Sequence, residues 1–137
     1  MLEHNSAQLE IVRGAVMGED TVITRRGGYL HIEFAGEFSV QAANRTIDVM
    51  LNACAEHQVS RVLMDCRRMT GPMPLMGRFE VAVYAGTTIG PGIRIALLGR
   101  PDQVISGNYF VEGVARIRGV DVTEFLNEEK AVEWLRM

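Results

Sequence analysis

Val62-Leu63-Met64-Asp65 and Ile93-Arg94-Ile95-Ala96-Leu97-Leu98 are apolar runs of strand length with one helix-sized segment between them. Strands that neighbour each other in parallel need a crossover of roughly a dozen or more residues, usually a helix, and that crossover is right-handed. The pair therefore predicts a layered α/β domain. Its working surface is expected beyond the carboxyl ends of these strands, where ligands of open α/β sheets bind.

Between the two runs, Cys66 to Pro74 holds Gly71, Pro72 and Pro74 and reads as a loop. A helix is expected from near Leu75 to Ala85, with Phe79, Ala82 and Val83 inward, and Gly86 to Gly92 forms the next break. Upstream, the first run begins at Ser60. Before it, Val40, Ala43, Ile47, Met50, Leu51 and Cys54 recur at helical spacing down to about His57. Ser39 suits the cap of that helix, because its hydroxyl can accept from an otherwise unpaired backbone N–H. Tyr29 to Phe34 alternates as a strand buried mainly on one side does. Thr21 to Thr24 is its hairpin partner across Gly27-Gly28, where both positions tolerate positive φ.

Met1 to Gly18 is the least legible stretch, since Leu9, Ile11 and Val12 fit an edge strand or a short helix equally. Downstream, Pro101 and Asp102 suit the start of a third helix running through Val111, Val114 and Ala115 towards Gly119, weakened or delayed by Gly107. Val120 to Phe125 reads as the last strand. Asn127 caps a closing helix, with Glu128 and Glu129 at its positive end and Arg136 at its negative end. Ala131, Trp134 and Leu135 are placed to dock inward.

The chain of 137 residues is read as one domain, 1–137, large enough to bury a core without staples. A net charge of −3 and a pI near 5.6 argue against a nucleic-acid binder, which carries a concentrated basic face. No apolar run approaches the length of a membrane span, so no integral insertion is expected. A disulfide between Cys54 and Cys66 is geometrically open, yet two thiols in a chain of this size fit a reducing cytosol. With no secretory signal pattern, the expected location is cytoplasmic.

Val62–Asp65, the Ile95–Leu98 strand and the closing Val122-Thr-Glu-Phe-Leu-Asn-Glu-Glu-Lys-Ala-Val-Glu-Trp-Leu135 together resemble the SpoIIAA-like group. These bacterial proteins are related to STAS domains, the anti-sigma-factor antagonists, and in fold to part of the Sec14 lipid-transfer domain. The resemblance spans about Tyr29 to Leu135. It implies a mixed, largely parallel sheet of four or five strands backed by helices. The switched STAS regulators carry a phosphorylated Ser in an Asp-Ser-Ser-Gly setting after the central strand. Here Asp65 is followed by Cys-Arg-Arg-Met-Thr-Gly-Pro-Met-Pro-Leu75, in which Thr70 is the only hydroxyl. The phosphosite does not carry over.

At the expected carboxyl rim lie Asp65, the loop after it, and Arg100. Arg67, Arg68, Arg78 and Arg100 form a candidate surface for an anion, set against the plainer reading of solvated arginines and an Asp65 that pairs locally or caps the loop. Among Met64, Met69, Met73 and Met76, the first and last are expected in the core. Met69 and Met73, with Leu75 and Phe79, are candidates to line an apolar pocket or a dimer contact. His4, His31 and His57 have no useful local partner, and a Cys66–His31 pair would need contact in the fold. No metal-ligand spacing or cofactor fingerprint is present, so no metal or cofactor is expected. Gly86 to Gly92 lacks a phosphate-loop lysine and reads as a connector.

The leading expectation is a non-enzymatic STAS-like interaction module. It would contact a protein partner, or itself as a homodimer, through Asp65, Arg67, Arg68, Met69, Thr70, Met73, Leu75, Arg78, Phe79 and Arg100. The alternative is a domain that binds a small apolar ligand or lipid, in which Asp65 or Arg78 orients the ligand.

Overall fold

The two decisive runs are parallel neighbours: Val62 pairs with Ile95, Met64 with Leu97 and Asp65 with Leu98. The computed structural model describes residues 11–13, 21–103, 115–116 and 118–137. In chain order the elements are β1 (Ile11–Arg13), β2 (Thr21–Arg26), β3 (Tyr29–Glu37), α1 (Val40–His57), β4 (Arg61–Thr70) and α2 (Leu75–Thr88). Then come β5 (Arg94–Leu98), the single turn α3 (Pro101–Gln103), β6 (Asp121–Phe125) and α4 (Glu128–Leu135). Ile11–Arg13 resolves the ambiguity at the amino terminus in favour of an edge strand. Of the expected third helix, Pro101–Gln103 and residues 115–116 are helical, while Gly107, Val111 and Val114 lie outside the described residues.

The strands are arranged in the order β1-β2-β3-β4-β5-β6. The β1–β2 and β2–β3 pairs are antiparallel, and every later pair is parallel. The sheet is therefore mixed and mostly parallel, five strands extended by a three-residue edge. Because each parallel step moves in the same direction, right-handed crossovers place α1 and α2 on one face. Helix α4 packs on the other face.

Two cores result. Leu30, Ile32, Val62, Met64, Ile95 and Val122 meet Ile47, Met50 and Ala82 under α1 and α2. Tyr29, Leu63, Ala96 and Leu98 meet Ala131 and Leu135 of α4. This corrects the reading of β3 as a one-sided strand. Tyr29 and His31 are buried as well as Leu30 and Ile32, because β3 is an interior strand with a layer on both faces.

The expected helix ends are observed. Ser39 Oγ accepts from the Ala42 N–H at 3.0 Å, and Asn127 Oδ1 accepts from the Lys130 N–H at 2.9 Å. At the hairpin only Gly27 takes positive φ, +61°. Trp134 lies under the Arg94 guanidinium, 3.9 Å from its ring centre, and tilts against Phe125.

The segment Cys66 to Thr70 is strand rather than loop. It continues β4 because β3 runs on to Glu37 and offers partners: Ala35 pairs with Arg68, Gly36 with Met69 and Glu37 with Thr70. Between Glu33↔Asp65 and Ala35↔Arg68, β4 advances three residues while β3 advances two, so β4 carries a bulge. The break starts only at Gly71, whose φ of +82° suits glycine and whose missing Cβ would sit 2.9 Å from Glu37 Cγ.

The inner face of α2 also differs from expectation. Arg78, Ala82 and Ala85 are its buried residues, and Phe79 and Val83 are half-buried. Small side chains on this row let α2 lie close to the sheet and α1. Gly77 faces the Phe38 ring, with 3.3 Å from an ideal Cβ position to Cε2.

Candidate functional site

Side chains alternate along β4, so Asp65 faces α4 while Met64 and Cys66 face α1 and α2. The carboxyl rim thus presents two different environments. On the α4 side, the Asp65 carboxylate is 1% exposed and accepts from His31 Nε2 at 3.0 Å. It also accepts from the Arg67 backbone N–H at 3.1 Å, Arg67 Nε at 3.0 Å and Arg67 Nη2 at 2.8 Å. Arg67 Nη2 continues to Glu128 Oε1 at 3.1 Å, at the first residue of α4. One polar relay therefore ties β3, the bulge of β4 and the amino end of α4.

Burial by itself pushes the Asp65 pKa up. Hydrogen bonds from His31 and Arg67, with the Arg67 charge, outweigh it and hold the carboxyl well below the usual range. An ionised carboxylate only accepts, so His31 Nε2 carries the proton in this pair.

The turn after β5 laces onto the same bulge. Arg100 Nη1 donates to the carbonyls of Arg67 and Met69, and its Nε and Nη2 grip Asp102 at 3.0 and 3.1 Å. Gln103 is fully buried and donates from Nε2 to the Cys66 carbonyl at 2.8 Å. The four candidate arginines do not converge. Arg67 and Arg100 are held by partners within the chain, Arg68 is exposed with Glu33 at 3.8 Å, and Arg78 lies on the other face. Thr70 is exposed at the end of β4, where its carbonyl accepts from the Phe38 N–H at 3.0 Å.

On the α1 and α2 side is a cavity of about 160 Å³. The sheet contributes Phe34, Met64, Cys66, Ile95 and Val122; α1 contributes Ala43, Ile47 and Met50; α2 contributes Val81, Ala82 and Ala85. Met69 and Met73 line it. Leu75 and Phe79 do not, and Leu75 is 55% exposed. Met76, in the first turn of α2, is exposed rather than core.

Among the described residues that line this mostly apolar space, two are charged, Arg78 from α2 and Glu124 from β6. Burial pushes the Arg78 pKa down, and the nearby Glu124 charge pulls it partly back. Glu124 is not among the residues that the sequence singles out. The signal that could have found it is period-two alternation, which places it on the same face as Val122, an acidic residue at an apolar position.

Cys66 lines the cavity while His31 bonds Asp65 on the opposite face, so the two do not form a catalytic pair. Both cysteines are free thiols. Burial pushes the Cys66 thiol up to about 12, with Asp65 and Glu124 adding to the rise, and burial pushes Cys54 up to about 11. Thiolate is the reactive form. At pH 7.5 the folded protein is therefore expected to react with iodoacetamide more than about a hundredfold slower than the urea-unfolded chain. Equal rates would contradict this burial. Among the described residues, no three His, Cys, Asp or Glu side chains are grouped to hold a metal, and no helix is long and apolar enough to cross a membrane.

No protein-family model matches the sequence, and no curated protein matches it. Among solved structures, the chain is similar to an uncharacterized protein of the DUF3478 family with a SpoIIAA-like fold, from Shewanella loihica PV-4. The two share 15% identity over 93% of this chain and 91% of the other, with a TM-score of 0.52. The protein has a SpoIIAA-like fold, as the resemblance in its sequence implied.

Proposed function

We propose that this domain binds a small apolar ligand in the cavity between the sheet and helices α1 and α2, and that it acts by binding rather than by catalysis. The observation that carries this is the cavity itself: about 160 Å³, walled by Phe, Ile, Met, Val and Ala side chains. An engineered dry cavity of about 150 Å³ with a similar lining takes up benzene, which sets the scale of the occupant. Ligand sites are typically apolar with a few polar groups that orient the guest. Arg78 and Glu124 are suited to that task. The protein-partner reading has less behind it, since Arg67 and Arg100 are engaged within the chain and the expected surface is divided between the two faces of the sheet.

Toluene at saturating concentration is expected to raise the melting temperature by about 3–5 °C, corresponding to roughly 1 kcal/mol of linkage. Ala82→Leu extends into the cavity from α2, and a folded variant should lose the toluene effect. No shift in the natural chain, or an undiminished shift in a folded Ala82→Leu variant, would rule the reading out.

A further inference from the structure

The rim at the amino ends of β4 and β5, opposite to Asp65, gathers arginines. We infer that it binds a phosphate monoester through the guanidiniums of Arg26, Arg61 and Arg136, with Arg94 beside them. Arg61 and Arg94 are register partners on neighbouring strands, so both side chains leave the face that α4 covers. Arg61 Nη1 donates to the Leu135 carbonyl at the end of α4, and the Arg94 guanidinium lies over Trp134. Arg136 follows in sequence and stands over the Tyr29 ring, 5.8 Å from its centre. Arg26 is the register partner of Tyr29 across the hairpin. Burial raises the Tyr29 pKa and the charges of Arg26 and Arg136 pull it back, so both act on its hydroxyl. The strands β2, β4 and β5 and the end of α4 thus bring four cations together.

Like charges at neighbouring strand positions repel each other. Among the described residues only Arg94 of the four has a carboxylate partner, Asp121 at 3.7 Å, which is itself exposed. Glu128 also acts on Tyr29, but its carboxylate is engaged by Arg67. Arg26 Nε is buried and has no hydrogen-bond partner among the described residues. The plainer reading is that these arginines complement the negative end of the helix. That end amounts to about half an elementary charge, and the Arg61 bond already meets it. The ring contacts of Arg94 and Arg136 neutralise nothing, since an aromatic quadrupole carries no net charge. A carboxylate answers one guanidinium fork. A phosphate monoester carries about −1.5 to −2 at pH 7 and three terminal oxygens, so it can serve several guanidiniums at once. Arg136 is exposed, and Arg26 and Arg61 are half-buried, so an anion can reach them from solvent.

The test uses the full chain at pH 7 in about 50 mM NaCl, where screening is weak. One arm titrates glycerol 3-phosphate against acetate by NMR. The other sediments the protein with phosphatidylcholine vesicles, with and without phosphatidic acid. Glycerol 3-phosphate binding at least about tenfold tighter than acetate supports a soluble monoester. Sedimentation that requires phosphatidic acid, without that binding, places the same phosphate on a lipid. In either arm, Arg26→Gln combined with Arg136→Gln should weaken binding at least about tenfold, with folding checked by thermal melt. If the double variant does not fold, each single variant should weaken binding at least about threefold. Arg61 is left in place because it holds the end of α4. Binding in neither arm, or undiminished binding in the folded variants, overturns the inference.

Discussion

Replacing Asp65 with Ala is expected to lower folding stability by about 3 kcal/mol, the lower end of the 3–5 kcal/mol range for breaking a buried ion pair. Asp65 is the acceptor on which the polar relay converges. Without it, the buried His31 Nε2–H loses its acceptor and Arg67 loses both side-chain bonds to the carboxylate. Arg67 is partly exposed and keeps Glu128, which is why the upper end of the range is not expected. The Arg67 N–H also loses the bond that shapes the bulge, loosening the strand that carries Cys66 and Met69 into the cavity wall. Urea denaturation measures the loss, and a value under about 1 kcal/mol would contradict the role given to this carboxylate.

The same residue governs acid sensitivity. Its folded pKa lies below the unfolded value of about 3.9, so its contribution is complete above that value and declines as the pH falls towards the folded one. The natural chain should therefore lose stability steeply on acidification below about pH 5, and Asp65→Ala should show a shallower slope over the same window. Parallel slopes for the two proteins would mean that Asp65 titrates normally.

Leu135→Ala is expected to cost roughly 2–5 kcal/mol, the range for deleting a fully buried leucine. Leu135 is 0% exposed and packs in the cluster of Tyr29, Leu63, Ala96 and Leu98. The helix bearing it has eight residues, well short of the roughly 12–15 at which an isolated helix is even marginal in water. Its helicity therefore depends on this docking, aided by the Arg61 bond to the Leu135 carbonyl and by Arg94 over Trp134. Hydrogen exchange should report the change as faster exchange in Ala131 to Leu135 along with the global loss. Full retention of protection, with a loss under about 1 kcal/mol, would show that α4 is held by other contacts.

Where local chemistry suffices, the elements arise from the residues themselves. Helix α1 has a single apolar stripe and a serine that caps it, and the β2–β3 hairpin has glycines at its turn. Asn127 starts α4 for the same reason as Ser39 starts α1: each offers a side-chain oxygen three residues before a bare N–H. The Gly-Pro-Met-Pro break is also real, but it begins at Gly71 rather than at Cys66. Nothing in Cys66 to Thr70 is a strand breaker, and whether such residues pair depends on the length of the neighbouring strand.

The sites were less legible because they are made of residues far apart in sequence. His31 and Asp65 are 34 positions apart, and Arg67 and Glu128 are 61 apart. Asp65, Arg67, Met69, Met73 and Arg78 resemble parts of one surface because they lie close together along the chain. The sheet instead separates them: Asp65 and Arg67 face α4, whereas Met69, Met73 and Arg78 border the cavity.

From its own residues the chain determines strand and helix types, the caps, the parallel crossover and the fold, since these depend on periodicity, turn chemistry and short-range hydrogen bonds. Only the tertiary structure decides which face each rim residue takes, how far β4 extends, and that an arginine and a glutamate from separate elements share one apolar space. The physical reason is that a side chain's surroundings are set by what packs across the sheet, and a one-residue bulge is enough to redirect every side chain beyond it.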